Sequence, residues 1–180
     1  MLTTLMSTLA TVGMCFCGVG GPAPDHHPAD LPRARHAIAP YQSLDRAKRA
    51  GYGLLSDAAG VQCIDNPGVG GMGVHFVDGE LVGDGAVRAT TPEALVYEPG
   101  RHGRLHLVAA EYVVLQADWD ATHATPPRLF GQTFELTPAG NRYGLPPFYE
   151  LHAWLFEPNP LGLFDDWNPR VSCARSTEAY

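Results

Sequence analysis

Glu150 and His152 stand two residues apart in FYELHAWLF, Phe148 to Phe156, among aromatic and aliphatic neighbours. A stretch of this composition reads as a β-strand, in which alternate side chains share a face. Phe148, Glu150, His152, Trp154 and Phe156 then point one way, and Tyr149, Leu151, Ala153 and Leu155 the other. Both faces are apolar, so the strand is expected to be covered on both sides, with Glu150 and His152 partly buried. The same alternation in RLHLVAAEYVVLQ, residues 104–116, puts Glu111 on a face with Leu105, Leu107, Ala109, Val113 and Leu115. His75 falls mid-strand in GVHFV, residues 73–77. A lone carboxylate on such a face costs several kcal/mol unless it is paired, protonated or bound to a metal.

Two histidines and a carboxylate are the donor set that holds Zn(II), non-haem Fe(II) or Mn(II) while leaving positions open for water or substrate. Copper is a further choice for an exported protein. The expected metal ligands are therefore His75, Glu111 and His152, with Glu98 as a weak fourth. Glu98 meets a geometric difficulty: in a direct hairpin through PGRHG it lies opposite residue 104 or 105, roughly 20 Å along the strand from Glu111 at ~3.3 Å per residue. Glu150 is then a supporting partner or a catalytic general base.

Two other accounts of the same residues stay open. One is a structural polar network, with Glu111 paired to Arg88, Arg128 or Arg142. The other is a non-enzymatic β-barrel that holds a small apolar or aromatic ligand, oriented by Tyr97, Tyr112, Trp154 and the polar groups. Histidine and glutamate side chains more than about 5 Å apart, too far for common coordination at ~2 Å, favour that last account. Asp118, Asp120 and His123 in DWDATH follow a strand beside two prolines, where turn and capping roles are expected.

Familiar signatures fail on context. GVGGMG, Gly68 to Gly73, fits G-x-G-x-x-G, but Asn66–Pro67 precedes it and a strand follows. Dinucleotide binding needs a strand before and a helix after, so a tight glycine turn is the better account. G-x-S-x-G, H-E-x-x-H, EF-hand and C-x-x-C patterns are absent.

The elements that must position these groups are β-strands. GVHFV (73–77), ALVYE (94–98), RLHLVAAEYVVLQ (104–116), RLFGQTFELT (128–137) and FYELHAWLF (148–156) are separated by DGE, EPGRHG, TPPR and TPAGNRYGLPP. SLDRAKRA, residues 43–50, reads as a short helix with Ser43 as N-cap and Gly51 as its stop. The expected fold class is α+β, a curved antiparallel sheet or small β-barrel with one short N-terminal helix. Residues 41–180 form the single globular domain. Residues 24–40, rich in proline and carrying His26–His27, read as a flexible lead-in.

Residues 1–23 lack any charge and pass from an apolar run to a Gly/Pro/Ala exit, as a signal peptide does. The expected location is secreted, periplasmic or cell-surface. Four cysteines fit this: Cys15 and Cys17 leave with the signal, and Cys63 with Cys173 makes one disulfide, two free thiols being the alternative. That bond closes a loop of about 110 residues, worth roughly 4–5 kcal/mol in the chain-entropy account. Net charge is -7 with a single lysine, Lys48, and no basic stripe. Nucleic acid and membrane surfaces are therefore not expected partners of the mature chain, and a small-molecule ligand or substrate is.

AGYGLLSDAAGVQCIDNPGVGGMGVHFV, PEALVYEP, EYVVLQADW, LFGQTFELTPAGNRYGLPPFYELHAWLFEPNP and FDDWNPRVSC together resemble an uncharacterised family of small exported bacterial proteins. The resemblance runs from Tyr41 to Cys173. It implies one compact exported domain and brings no activity or ligand set with it.

Overall fold

The long apolar run Leu105–Leu115 forms β5, the strand on which the sheet is built. A computed structural model describes residues 30–177 and Tyr180. In chain order the strands are β1 (Gly53–Leu54), β2 (Cys63–Asn66), β3 (Gly70–Val77), β4 (Ala94–Pro99), β5, β6 (Arg128–Leu129), β7 (Gln132–Thr133), β8 (Glu135–Thr137) and β9 (Phe148–Ala153). The main sheet has seven strands in the order β1-β3-β4-β5-β9-β8, with β2 also on β3, and β6 and β7 make a separate hairpin. Each strand pairing is antiparallel. Among the described residues, β1 and β8 end the path without pairing to each other, so an antiparallel sheet is what the residues form.

RLFGQTFELT was expected as one strand and is broken into three pieces. Phe130 and Gly131 both take positive φ, 53° and 80°. Two such residues in succession make the tight turn between β6 and β7, as a two-residue hairpin requires. FYELHAWLF ends as a strand at Ala153, because the Trp154 amide turns to the carbonyl of Leu163.

Helices cover the face that holds the larger apolar cluster. α2 (Leu44–Arg49) matches the expected short helix, with Ser43 at its N-cap position and Gly51 beyond its end at φ 108°. The Ser43 side chain does not cap; its backbone carbonyl accepts from Arg46 and Ala47 instead. α3 (Gly79–Val82) is capped by the Asp78 carboxylate, and α4 (Gln116–Asp120) follows β5. The structure thus has more than the one short helix expected.

The flexible lead-in also needs correction. Residues 30–38 form α1 (Asp30–Ile38), which runs into a 3-10 turn, Ala39–Gln42. Ala34 and Ile38, four apart on one helical face, are fully buried in the main core, and the Arg35 guanidinium donates to the Leu155 carbonyl at 2.6 Å. Pro32 hid the helix in the sequence, yet it lies in the first turn, where a missing N–H is harmless. Residues 1–29, with the signal-like segment, Cys15, Cys17 and the His26–His27 pair, lie outside the described residues.

The other face of the sheet is covered by the C-terminal segment. Val171 packs with Val96, Val108, Ala109 and Trp154. The amides of Gly71 and Asn168 each donate to the other's carbonyl at 3.1 Å, which lays the segment against β3. A side chain at Gly70 would put its Cβ 2.4 Å from the Asn168 backbone, so the glycine run exists to let two backbones touch. The Cys63–Cys173 disulfide then ties the segment to β2, across 110 residues of sequence. No helix among the described residues is long and apolar enough to cross a membrane.

Candidate functional site

A bulge decides which side chains accompany Glu111. β4 and β5 pair Val96 with Ala109 but Tyr97 with Leu107, so Val108 is an extra residue on β5. Leu105 and Leu107 therefore belong to the main core beneath the sheet, with Ala110 and Tyr112. Val108 and Ala109 go with the opposite cluster. The expected grouping of Glu111 with Leu105 and Leu107 is corrected by that one residue.

Register then brings three strands to one place. Glu111 is directly opposite His152 on β9 and opposite Ala94 on β4. His75 on β3 pairs with Val96. It reaches Glu111 diagonally across β4, where Ala94 presents only a methyl group. His75 Nε2 lies 3.5 Å from Glu111 Oε2, and His152 Nδ1 lies 3.9 Å from Glu111 Oε1. The residues are 2%, 7% and 1% exposed for His75, Glu111 and His152, so water does little to solvate any of them. None of the four ring nitrogens has a hydrogen-bond partner.

Burial sets the protonation of the group. It pulls His75 down to about 4, helped by the nearby Arg142 charge, and His152 down to about 3, helped by His75. It pushes Glu111 well above the usual carboxylate range, and the adjacent Glu150 carboxyl pushes further. Burial thus favours the neutral form of both imidazoles and of the carboxyl group.

The arginines expected as partners of Glu111 are engaged elsewhere. Arg88 pairs with Asp84 at 2.6 Å, Arg128 donates to the Gly131 carbonyl, and Arg142 pairs with Asp57 at 2.9 Å. Asp57 also accepts the amides of Ala59 and Val61, which fixes the loop after β1 to the loop before β9. That second loop holds Tyr143, whose hydroxyl is pushed up by burial and then by the Glu111 charge.

Glu150 is half-buried opposite Val113 and Glu135, and Thr137 Oγ1 donates to its Oε1. Asp166, which sequence reasoning passed over, is pushed up to about 6 by burial and then by Glu150. Only its position in an acidic pair, FDDW, marked it in the sequence.

Glu98 does not join the three. It stands opposite His106, five residues and about 16 Å along β5 from Glu111, and its carboxylate accepts the Ser172 amide. Tyr97 and Tyr112 lie in the main core on the opposite face, with hydroxyls spent on the Tyr41 and Ala89 carbonyls. Trp154 stacks near His152 with centroids 5.4 Å apart. Asp120 accepts from Tyr149 and the His123 ring stacks on Trp119 at 3.7 Å, so the DWDATH segment is the end of α4 with the turn after it, where the expected turn role falls to the residues beyond Asp120.

Tetrahedral donors at ~2.0–2.1 Å from an ion are about 3.3 Å from each other. The two nitrogen–oxygen pairs stand slightly wider than that, and no group of three His, Cys, Asp or Glu among the described residues is at coordination geometry as it stands. Comparison with family models, curated proteins and solved structures returns no match.

Proposed function

We propose that the protein binds a divalent transition metal through His75, Glu111 and His152, with zinc, iron, manganese and copper as the candidates. The observation that carries the reading is the pairing of convergence with vacancy of partners: two imidazoles within 4 Å of one carboxyl group, and four buried ring nitrogens without a hydrogen bond. Buried polar atoms are satisfied in the great majority of proteins, so orphans that converge call for an unseen partner. Separations of 3.5 and 3.9 Å also favour shared coordination over a roomy ligand pocket. Histidine nitrogen with one carboxylate suits these metals better than calcium or magnesium.

A bound ion with an open position acidifies water and makes a nucleophile of it near neutral pH. Glu150, held by Thr137 beside Glu111, is the residue available to take a proton there. Export is part of the same reading: the disulfide and the signal-like leader support an oxidising compartment.

The test is elemental analysis of the mature protein, purified without a histidine tag, beside a folded His152→Ala variant. Near-stoichiometric metal in the parent and its loss in the variant is the expected result. No metal in either, even after incubation with zinc, copper, iron and manganese salts, would overturn the proposal and leave a core polar network.

A further inference from the structure

The hairpin between β4 and β5 carries a second feature, unrelated to the three converging residues. Its turn, Arg101–Gly103, follows Gly100 and leads into β5. Together with Arg175 of the C-terminal segment it frames a cleft of about 420 Å³ that opens to solvent. Arg101, His102, Arg104, His106 and Arg175 line it, with Glu98 as the one acidic residue. The chain has 12 lysines and arginines against 19 acidic residues, and three of those cations meet here. In so acidic a protein, three arginines gathered around one carboxylate are a departure from the average field.

Two details show that the cleft is formed rather than incidental. First, no ion pair or side-chain hydrogen bond joins Arg101, Arg104 or Arg175 to another described residue, so their donors face the cleft uncommitted, as those of several other surface arginines are. Second, the backbone is shaped around the lining. A Cβ at Gly100 would lie 2.6 Å from His106 Nε2, so the absence of a side chain there lets the imidazole lie over the turn. His102 holds φ 61° and ψ 34°, a left-handed conformation that a non-glycine residue adopts only at a cost.

Counting charge narrows the ligand. Three guanidiniums and one carboxylate leave a balance of +2, the histidines aside. Three forks offer more donors than the two oxygens of a carboxylate can accept, and suit the three free oxygens of a phosphoryl group. The Glu98 carboxylate is partly withdrawn from the cleft, since its Oε1 accepts the Ser172 amide at 3.1 Å. We infer that this cleft binds the phosphoryl group of a small phosphate monoester through Arg101, Arg104 and Arg175, with His102 and His106 as additional donors.

The test is calorimetric titration of the full mature chain in low salt, with a chelator present so that no bound metal takes the phosphate. The probes are inorganic phosphate, phenyl phosphate and sodium acetate, and, separately, vesicles of phosphatidylcholine with 30% phosphatidic acid, whose headgroup is a phosphate monoester. A double variant, Arg101→Gln with Arg104→Gln, and a control, Arg33→Gln on α1, are titrated alongside. The expected result is saturable phenyl phosphate binding, at least tenfold tighter than acetate, weakened at least tenfold in the double variant and unchanged in the control. Vesicle binding that the double variant loses, stronger than that of phenyl phosphate, would support the same cleft and assign the phosphoryl group to a lipid headgroup. Absence of saturable binding to both phenyl phosphate and vesicles, or binding equally strong in the double variant, would overturn the inference. A circular dichroism melt of the double variant confirms that a loss is not unfolding, and an Arg175→Gln variant, altered outside the hairpin, repeats the test if it is.

Discussion

The imidazole of His75 stands edge-on to that of His152, with ring centroids 5.8 Å apart and planes at 82°. Glu111 lies against both rings, and the strand between His75 and Glu111 contributes only Ala94 to the gap. Each ring brings one nitrogen to within 4 Å of the carboxyl group, His75 at one oxygen and His152 at the other.

If the three residues hold an ion, Glu111→Gln and His75→Ala each lower bound metal at least tenfold, while Glu98→Ala leaves it unchanged. Glu98 provides the contrast because it was a candidate ligand by type and is excluded by register. Metal content by mass spectrometry decides it, and equal loss in Glu98→Ala would point to general destabilisation.

Loading with metal should release protons. Burial and the neighbouring Glu150 favour the protonated form of the Glu111 carboxyl, and a ligating carboxylate must be ionised. The number of protons released per ion is then greater than zero near neutral pH. Calorimetry in two buffers of different ionisation enthalpy reads that number directly. Affinity should fall as the pH is lowered, because protons then compete for all three ligands.

Removing the metal exposes a stability effect. Binding to the folded state alone adds about 4 kcal/mol at a free concentration 1,000 times the dissociation constant. Chelation should therefore lower the melting temperature by several degrees, and the His152→Ala variant should show no such shift.

Glu93 offers a test independent of any ligand. It is fully buried, its Oε2 accepts the Val113 amide at 2.9 Å, and burial raises its carboxyl to about 8 from an ordinary 4.5. Between those two values the folded protein keeps a proton that the unfolded chain has lost. Stability from this residue is thus fully present below pH 4.5, declines as the pH rises and is gone above about 8. Glu93→Gln keeps an acceptor for Val113 and removes the titration. It should exceed the parent in stability at pH 8 by roughly 3 kcal/mol and match it at pH 5. Urea melts at the two pH values check this, and parallel curves for the two proteins would contradict it.

Gly73→Ala should cost about 2–3 kcal/mol. The residue holds φ 112°, and a Cβ there would lie 2.6 Å from the Tyr97 carbonyl. The measurement is a urea midpoint shift at constant slope.

The strands and their alternation were legible because apolar character repeats every second residue from Phe148 to Ala153 and along much of β5. His75, Glu111 and His152 could be picked out as polar intrusions into that repeat. The Cys63–Cys173 bond followed from counting thiols. Nothing in a period of two announces the extra residue at Val108, so the partners of Glu111 on its own strand were misassigned. α1 was missed because its burial depends on two residues, Ala34 and Ile38, among prolines that dominate the local composition. Asp166 and Tyr143 come to the site from loops, and no local pattern ties a loop residue to a distant strand.

The bond between Cys63 and Cys173 encloses every strand that carries the three converging residues. A protease that nicks any one loop between those cysteines leaves two fragments still joined by sulfur. The pieces separate only when a reductant is added, so on gels the cut protein keeps its full mass until it is reduced. Such a chain can be severed once and remain a single molecule for as long as its surroundings leave the bond oxidised.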